Sequence, residues 1–448
     1  MNHKGPYMRK NITIGTTLRR ISLILFCLLP LKGICQTGEA TVDALVKMGF
    51  ENVGWTEDTE ERVFVIQNSA YRLEGVGIGK AVDLIQKMGL PENKPCRLIV
   101  LDNNVPQISL YYQPMKGDSI AEVSRADWSV SYDLGEGWKQ ARRIKKQNSS
   151  LFKVDIVVYP ELLFRNYILS KVYEIVVNVS PAIEVSLWKG MKLTGQVIFP
   201  IYNDYGQRYK QIRPGFVTLS QTVRLPQRTF LTASVGFFNK FRWGGDLKAK
   251  HFFKDERFSV DARIGYTGRG YFEDWAFYHG TKWTLTGSIG ANFYWPKYNT
   301  QFSLKGERYL EGEYGARFDM IRHFRYASIG FYGMKVQHAG NKGLNGGFLF
   351  QIALPPYKYK RKGYIPRVIP NNFGFQYNAG NERIYGKGYS PQASDNVMEN
   401  NSFNPYFIKS ELLNLLNSSS KCNGIHINNL FKFFVWCEVS KSFTRSII

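Results

Sequence analysis

A two-residue alternation of apolar and polar positions runs through the middle of the chain and is clearest at residues 282–295, KWTLTGSIGANFYW. One parity carries the apolar side chains Trp283, Leu285, Ile289, Ala291, Phe293 and Trp295. The other parity carries Thr284, Thr286, Ser288, Asn292 and Tyr294. Because successive side chains of a strand point to opposite faces, the pattern predicts a long β-strand with one apolar face and one polar face.

The same alternation recurs between residues 151 and 380, with turn residues between the repeats. The clearest further examples are FLTASVGFF at 230–238, WGGDLKAKHFF at 243–253, RFSVDARIGYTG at 257–268, GEYGARFDM at 312–320 and GGFLFQIAL at 346–354. Counting such segments predicts about 12–14 antiparallel strands and a mainly β fold. No segment in this region has the spacing of a long helix.

Two architectures fit repeated amphipathic hairpins, a soluble β-sandwich and a transmembrane β-barrel. Strands of a sandwich usually have about 5–6 residues, whereas about 9–11 residues are needed to cross a bilayer at a tilt. The predicted strands have the longer length, and Trp283 and Trp295 are placed as aromatic residues at the two membrane interfaces. We therefore predict an antiparallel transmembrane barrel over residues 151–380.

The segments before and after the barrel differ from it in pattern. Residues 40–115 predict a small periplasmic α/β module with the element order αββαββ, because two stretches of helical spacing alternate with short apolar strands. Residues 116–150 are polar and predict a linker. Residues 381–448 form a tail of unclear structure, in which FIKSELLNLL has the spacing of a helix.

The first 35 residues predict a signal peptide. A basic stretch ends at Arg19 and Arg20, and the apolar run at 21–31 is shorter than the roughly 20 residues of a membrane-spanning helix. Cleavage between Cys35 and Gln36 fits the small-residue rule, and lipidation of Cys35 is the open alternative. We expect the mature chain to leave the cytoplasm and to lie in the outer membrane.

The formal charge of +23 changes the picture of the partners. Six basic residues lie in the predicted signal peptide, so about +17 remains on the rest of the chain. Such an excess favours anionic partners, namely lipid headgroups or an acidic polysaccharide, and export of the chain argues against nucleic acid. Solvated surface charge is the plain alternative.

Catalytic and metal chemistry have little support in the sequence. The five cysteines show no paired spacing, and six histidines are few for a metal site. We expect no enzyme activity, no cofactor and no metal. The carboxylates Asp246, Asp261, Glu307 and Asp319 leave open a glycosidase-like pair, but salt bridges between strands explain them better.

Charged side chains occur on the polar parity of the predicted strands. These candidates for a lumen that faces a glycan are Lys248, Lys250, Arg257, Asp261, Arg263, Lys305, Glu307, Arg317 and Asp319. Two interpretations stay open for them. They pair with one another and fix the register of the strands, or their net positive charge attracts an acidic glycan.

Several blocks together resemble the YjbH-like proteins, which are outer-membrane β-barrels linked to exopolysaccharide and capsule production. The blocks are IFPIYNDYGQRYKQIRPGFVTLSQTVRLP, RWGGDL, GERYLEGEYGARFDMIRHF, ASIGFYGMKV and GLNGGFLFQIALPP. The third block is the most specific, and its matching residues are Arg308, Tyr309, Gly312, Gly315 and Arg322. The resemblance covers roughly residues 40–380 and implies no catalytic residue. The chain departs from the family beyond residue 400.

The resemblance implies a non-enzymatic role in polysaccharide export or surface deposition, with periplasmic export components as possible partners. Two other functions remain open. A general porin would conduct small solutes without affecting polysaccharide. A secreted glycan-binding β-sandwich would be soluble in water.

Overall fold

The computed structural model describes residues 38–114, 123–166, 173–337, 343–354, 366–379, 386–395, 398 and 402–418. They form one sheet of five strands and one of fourteen, and the prediction of a mainly β fold is confirmed. The predicted signal peptide, its cleavage site and Cys35 lie outside the described residues, as do residues 419–448.

The described residues form four α-helices and nineteen β-strands. The helices are α1 (Gly38–Met48), α2 (Glu74–Met88), α3 (Trp138–Ala141) and α4 (Pro405–Ser418). The small sheet contains β1 (Glu51–Glu57), β2 (Arg62–Gln67), β3 (Cys96–Asp102), β4 (Val105–Tyr112) and β5 (Ser129–Ser131). The large sheet contains β6 (Val154–Asn166), β7 (Tyr173–Trp188), β8 (Met191–Asn203), β9 (Arg213–Leu225), β10 (Thr229–Phe238), β11 (Arg242–Phe252), β12 (Phe258–Glu273), β13 (Ala276–Trp295), β14 (Thr300–Arg308), β15 (Tyr314–His323), β16 (Ala327–Val336), β17 (Leu344–Ile352), β18 (Arg367–Pro370) and β19 (Phe373–Asn378). Within the described ranges, no helix is long and apolar enough to cross a membrane.

The first part of the chain has the predicted element order αββαββ. Its strands lie in sequence order, and only β2 and β3 are parallel, because α2 forms the crossover between them. The apolar sides of α1 and α2 pack on one face of the sheet, with Leu45 and Ile85 fully buried. We call residues 38–153 the module.

The predicted linker at 116–150 instead completes the module over its described part, residues 123–150. Strand β5 pairs with β4, and Trp128 before it is fully buried in the core. On the opposite face of the small sheet, Ala141 of α3 packs with a second apolar cluster. The polar composition of the segment hid these contacts, because a few apolar side chains anchor it while its charges remain at the surface.

The large sheet is a meander in which β6 to β17 are neighbours in chain order and antiparallel. Its fourteen strands lie within the predicted number. The alternating stretch at 282–295 lies in β13, a strand of 20 residues, where Trp283 pairs with Gly268 of β12.

Both outer strands of this sheet come from one segment, residues 367–378. Its first part, β18, pairs in parallel with β6, and its second part, β19, pairs antiparallel with β17. Between them Asn371 donates a backbone hydrogen bond to the Val158 carbonyl at 2.8 Å, and the rings of Phe164 and Tyr377 are 5.9 Å apart. The two edges of the sheet are therefore neighbours. The ladders among the described residues join the strands in an open order and not in a closed ring.

Candidate functional site: the filled interior of the large sheet

The large sheet exposes its apolar face and buries its polar face. On β13, Ile289 is 75% exposed while Asn292 is 8% exposed. On β12, Ile264 is 51% exposed while Asp261 is 5% exposed. Other exposed apolar side chains of the sheet are Val179, Ile183, Leu193, Val217, Val235, Leu247, Leu304, Phe318, Phe331 and Phe348. Buried polar side chains include Asn178, Ser180, Thr194, Thr218, Ser220, Ser234, Ser259, Ser303 and Asn345.

Aromatic rings form two clusters on the exposed face, one toward each end of the strands. The predicted interface residue Trp283 stacks on Tyr266 at 5.0 Å and contacts Trp243 at 4.6 Å. The second predicted residue, Trp295, contacts Tyr298 at 4.8 Å. The two tryptophans are twelve positions apart along β13. At about 3.3 Å per residue, a strand tilted by about 45° from the membrane normal would span about 28 Å along that normal between the two tryptophans. This distance is close to the thickness of a bilayer core.

The interior of the large sheet contains a later part of the chain, the described residues 386–395 and 398, which we call the interior segment. The Tyr389 hydroxyl donates to Asp246 Oδ2 at 2.7 Å, and its ring stacks on Phe238 at 5.6 Å. Arg263 donates to the Tyr389 carbonyl at 3.0 Å and to Asp246 at 2.8 Å. These four side chains fix the segment against β10, β11 and β12.

Further contacts join the interior segment to other parts of the large sheet. Near the β14–β15 turn, the Leu310 amide donates to the Lys387 carbonyl at 3.0 Å. The Ser390 amide donates to Asn239, in the β10–β11 turn, at 2.7 Å. Ala393 is buried in a cluster with residues of β6, β7 and β9, and Met398 is buried in one with residues of β16 and β17. The segment therefore contacts strands from both the first and the last part of the large sheet.

The module covers the opposite end of the large sheet, where the β7–β8, β9–β10 and β11–β12 turns lie. Arg224 of β9 donates to the carbonyls of Pro106 and Gln107 at 3.0 and 2.7 Å. Glu256 accepts hydrogen bonds from the Ser131 hydroxyl at 2.6 Å and the Tyr132 amide at 2.7 Å. These contacts fix the module at this end of the large sheet.

Helix α4 lies at the same end and confirms the helical spacing seen in FIKSELLNLL. Ile408 and Leu412 are fully buried in the core of the module. Ser410 accepts a hydrogen bond from Asn299 of the β13–β14 turn at 3.1 Å. Helix α4 therefore docks on the module, at the end of the large sheet opposite to the β14–β15 turn.

Eight of the nine predicted lumen residues lie on the inward parity. The inward parity is the one on which Asp246, Asp261, Ser303 and Asp319 are buried. The eight residues are Lys248, Lys250, Asp261, Arg263, Lys305, Glu307, Arg317 and Asp319. Arg257 does not join them. It precedes β12, is exposed, and pairs with Asp255 of the same turn at 2.6 Å.

Ion pairs and hydrogen bonds hold several of the inward charges. Arg317 pairs with Asp319 at 2.8 Å and lies over the Tyr332 ring at 4.3 Å. Asp261 accepts a hydrogen bond from Asn292 at 2.7 Å. The pair between Arg263 and Asp246 and the bond from Asn292 to Asp261 join neighbouring strands, as the pairing interpretation expects, whereas Arg317 and Asp319 belong to the same strand and fix no register.

The residues of the third sequence block are divided between four environments. Tyr309 is buried, whereas Arg308 lies on the outward parity of β14, with its guanidinium 5.7 Å from the centre of the exposed Tyr314 ring. Gly312 adopts a φ of +90° in the β14–β15 turn, which favours glycine. Gly315 lies close to the Lys335 carbonyl, where a Cβ atom would be 2.7 Å from the oxygen. Arg322 is exposed on the outer face and lies over the Phe324 ring at 5.2 Å.

The described part of the chain shows neither a set of metal ligands nor a reactive thiol. No group of three histidine, cysteine, aspartate or glutamate side chains there is placed to hold a metal ion. Cys96 is fully buried in the module, and burial raises the pKa of its thiol, so it is not a reactive nucleophile.

The interior segment is the part of the site that the sequence did not indicate. Residues 386–395, GKGYSPQASD, have neither strand alternation nor helical spacing and are rich in turn residues. Tyr389 was the only weak signal, as an aromatic residue in an otherwise polar stretch.

Comparison with protein-family models gives no match, and no curated protein matches the chain. The resemblance to the YjbH-like proteins therefore stays a prediction from the sequence blocks.

Proposed function

We propose that the chain is an outer-membrane β-barrel whose lumen is filled by its own interior segment and whose periplasmic mouth is covered by the module. In this proposal it assists export or surface deposition of an acidic polysaccharide without acting as an enzyme. Lipid contacts its outer face, and periplasmic export components contact the module.

One observation carries the membrane proposal, the inverted polarity of the large sheet. Exposing an aliphatic side chain such as Ile289 to water costs about 1.5–3 kcal/mol relative to burial, and the sheet repeats this exposure on most strands. In lipid the same side chains are in a favourable solvent, and the two aromatic clusters lie where the interfaces would be. Large apolar surfaces of this kind mark contact with a membrane or another protein.

The geometry of the sheet edges supports closure. A strand edge in lipid leaves backbone groups without hydrogen bonds, so spanning sheets are closed. Segment 367–378 pairs with β6 through its first part and with β17 through its second. A ring that closes through this one segment leaves neither β6 nor β17 as a free edge.

The polysaccharide part of the proposal has weaker support. It rests on the resemblance of the sequence blocks to the YjbH-like proteins and on the net positive charge of the chain. The filled interior argues against a general porin, because contacts from Lys387 to Met398 occupy the path that a solute would take. The buried polar face argues against a soluble sandwich, whose two sheets would bury apolar faces.

Location is tested by membrane fractionation of cells that produce the full chain. We expect the protein in the outer-membrane fraction, resistant to carbonate extraction, and we expect its gel mobility to change on boiling, as for a closed barrel. A protein released in soluble form from the periplasm would overturn the membrane proposal.

Function is tested separately, by measuring cell-bound and shed polysaccharide in an in-frame deletion strain. We expect loss or mislocalisation of the polysaccharide and restoration by the wild-type gene. The inward Lys305→Glu and Lys248→Glu double variant should restore less than the matched Lys254→Glu and Lys297→Glu variant, whose charges lie in exposed turns. Unchanged polysaccharide in the deletion strain rejects the export role, whatever the location of the protein.

A further inference from the structure

The outer face of the large sheet changes in character along β7 toward the module. Ile183, within the strand, and Trp188, its last residue, are each more than half exposed. The Trp188 indole Nε1 donates to Gln221 Oε1 of β9 at 2.9 Å. Because Gln221 shares its parity with the exposed Val223, Trp188 lies on the apolar outer face. An indole with an exposed ring and a bonded N–H suits a membrane interface, where one side is apolar and the other is wet.

A second exposed ring, Phe152 of the module, lies beside the end of β7. Its amide donates to the Ser186 carbonyl at 2.8 Å, two residues before Trp188. The Phe152 side chain is 66% exposed, and its φ is +60°. A bulky residue rarely adopts this left-handed conformation, and water does not favour an exposed phenyl ring. Packing within the protein does not explain the strained position, because the ring projects away from the core.

Two lysines lie next to these rings. Lys189 follows Trp188 directly and is exposed in the β7–β8 turn, and the half-buried Lys146 of the module lies near it. Burial lowers the pKa of Lys146, and the neighbouring charge of Lys189 lowers it further. In the described part of the chain, no carboxylate forms an ion pair with either lysine. Two like charges held together in this way favour the approach of an anion.

The turn that carries Lys189 is fixed from both sides. The Gly190 amide donates to the Asn103 carbonyl of the module at 2.8 Å, and the Gly190 carbonyl accepts from the Thr222 amide of β9 at 2.8 Å. The Lys189 carbonyl accepts from Gln221 Nε2 at 2.9 Å. The cations and the rings are therefore held at the junction between the module and the large sheet before any ligand arrives.

We propose that this junction binds an anionic phospholipid, with Lys146 and Lys189 on its phosphate and with Trp188 and Phe152 against the adjoining part of its acyl chains. The inference rests on the proposed function and deepens it by naming the class of lipid and its place. Along β7 the order from Ile183 through Trp188 to Lys189 matches the order of bilayer core, interface and headgroup. Two lysines without a carboxylate favour a headgroup with net negative charge over a zwitterionic one.

The rings decide between a lipid and a soluble anion. They continue the apolar outer face of the sheet, so a ligand that contacts both the rings and the lysines has an apolar part joined to a charged part. The module supplies Lys146 and Phe152, and the sheet supplies Trp188 and Lys189. One bound lipid therefore contacts both parts of the chain and helps to fix the module against the membrane.

The test uses the full chain purified in detergent and mixed with equal amounts of phosphatidylglycerol and phosphatidylcholine that carry the same acyl chains. Native mass spectrometry counts the lipid that stays bound. We expect phosphatidylglycerol to be retained in preference, and this preference to fall as salt rises. Millimolar inorganic phosphate should not displace the lipid, because it makes no contact with the rings. Equal retention of the two lipids, or complete displacement by phosphate, overturns the proposal.

The decisive variant combines Lys146→Gln with Lys189→Gln. It should lower the preference for phosphatidylglycerol by about fivefold for each lysine removed. The matched control combines Lys47→Gln with Lys80→Gln, which removes the same charge from exposed positions of α1 and α2 and should leave the preference unchanged. Equal losses in the two double variants would show a general effect of net charge and would overturn the site.

The variant Phe152→Gly separates lipid binding from folding. Glycine adopts a φ of +60° without strain, and the exposed ring contributes little to packing, so denaturant unfolding should match that of wild type. The variant should nevertheless retain less phosphatidylglycerol. Wild-type retention would remove the ring from the proposed site and overturn the assignment to a lipid. A protein that reaches the outer membrane without a lipid preference loses this inference alone, whereas a soluble protein rejects the membrane proposal itself.

Discussion

The module and the large sheet are two β-structures in one chain with opposite polarity. In the module, Phe64, Ile66 and Leu98 are buried and fully inaccessible. In the large sheet, Ile264 and Ile289 are more than half exposed, and the polar Asp246 and Asp261 are buried. The residue types are the same, and their placement is reversed. Composition alone does not distinguish the two parts. They differ in whether the apolar face of the sheet is buried or exposed.

The difference also concerns what fills the interior. Side chains from helices and strands fill the core of the module, as in water-soluble domains. The interior of the large sheet is filled partly by a separate segment, through polar contacts such as that between Tyr389 and Asp246. The module therefore depends mainly on apolar packing, and the attachment of the interior segment depends strongly on individual hydrogen bonds.

The largest expected effect comes from removing a buried apolar side chain from the core of the module. Phe64→Ala in β2 should destabilise the module by about 3–5 kcal/mol, because it removes a fully buried ring and leaves a cavity. Phe331→Ala, at a ring that is 56% exposed on the large sheet, is the matched control and should cost much less. Denaturant unfolding of the full chain in detergent, with limited proteolysis to locate the change, measures both. Equal losses would remove the contrast between the two parts.

The second effect comes from placing a charge on the exposed apolar face. Ile289→Arg lies midway between Trp283 and Trp295 and should cost about 2–4 kcal/mol if that face meets lipid. Ile212→Arg makes the same change in the β8–β9 loop, outside the strands, where Ile212 is 52% exposed. The readout is the fraction of protein that folds into lipid vesicles. In water an exposed isoleucine tolerates arginine, so equal folding of both variants would contradict the membrane proposal.

The sequence predicted the alternation, the element order of the module and the helical spacing in α4, because each depends on a local period. Eight predicted lumen residues lie on the inward parity for the same reason, and Arg257 does not because it lies just before the strand begins. The interior segment, the folded 123–150 region and the partnering of Asp246 depend on contacts between distant parts of the chain. No local period reports such contacts, so sequence alone did not indicate them.

Two buried carboxyl groups, Glu74 of α2 and Glu411 of α4, lie where α4 packs on the module. Glu411 of α4 lies against α2, where a Cβ atom at Gly75 would collide with the Glu411 carboxylate. Burial raises the pKa of Glu411 to about 7, against the opposing effects of Arg325 and the Gly75 amide. Burial raises the pKa of Glu74 to about 8, with Asp102 and Glu411 adding to the rise, and Asn68 and Arg367 opposing it.

The third prediction follows from these raised pKa values. A carboxyl group whose pKa is higher in the folded state stabilises docking at low pH, and this contribution falls as pH rises from about 4.5 through the folded pKa. Docking of α4 should therefore weaken between about pH 5 and 8, by at most about 1.4 kcal/mol per pH unit for each group.

The variant Glu411→Gln should flatten this dependence and dock more tightly than wild type at pH 8. Glu39→Gln, at an exposed position of α1, is the control and should keep the wild-type slope. Hydrogen exchange of residues 405–414, corrected for the intrinsic effect of pH, measures the docking. A wild-type slope of zero would contradict the burial of both carboxyl groups.

The smallest effect concerns a single hydrogen bond of the interior segment. Tyr389→Phe keeps the ring that stacks on Phe238 and removes the hydroxyl that donates to Asp246. The loss should weaken attachment of the segment by about 1 kcal/mol, since Asp246 keeps its pair with Arg263. Hydrogen exchange at residues 386–395 should accelerate about fivefold, which corresponds to that energy.

Tyr266→Phe is the matched control, because Tyr266 is 57% exposed on the outer face and stacks on Trp283. This variant also removes one tyrosine hydroxyl, but on the exposed face of the large sheet. It should leave hydrogen exchange in the interior segment unchanged. If both variants behave as wild type, apolar contacts of Phe238 and Ala393 hold the segment. The interior of the large sheet would then resemble the core of the module more closely than its polarity suggests.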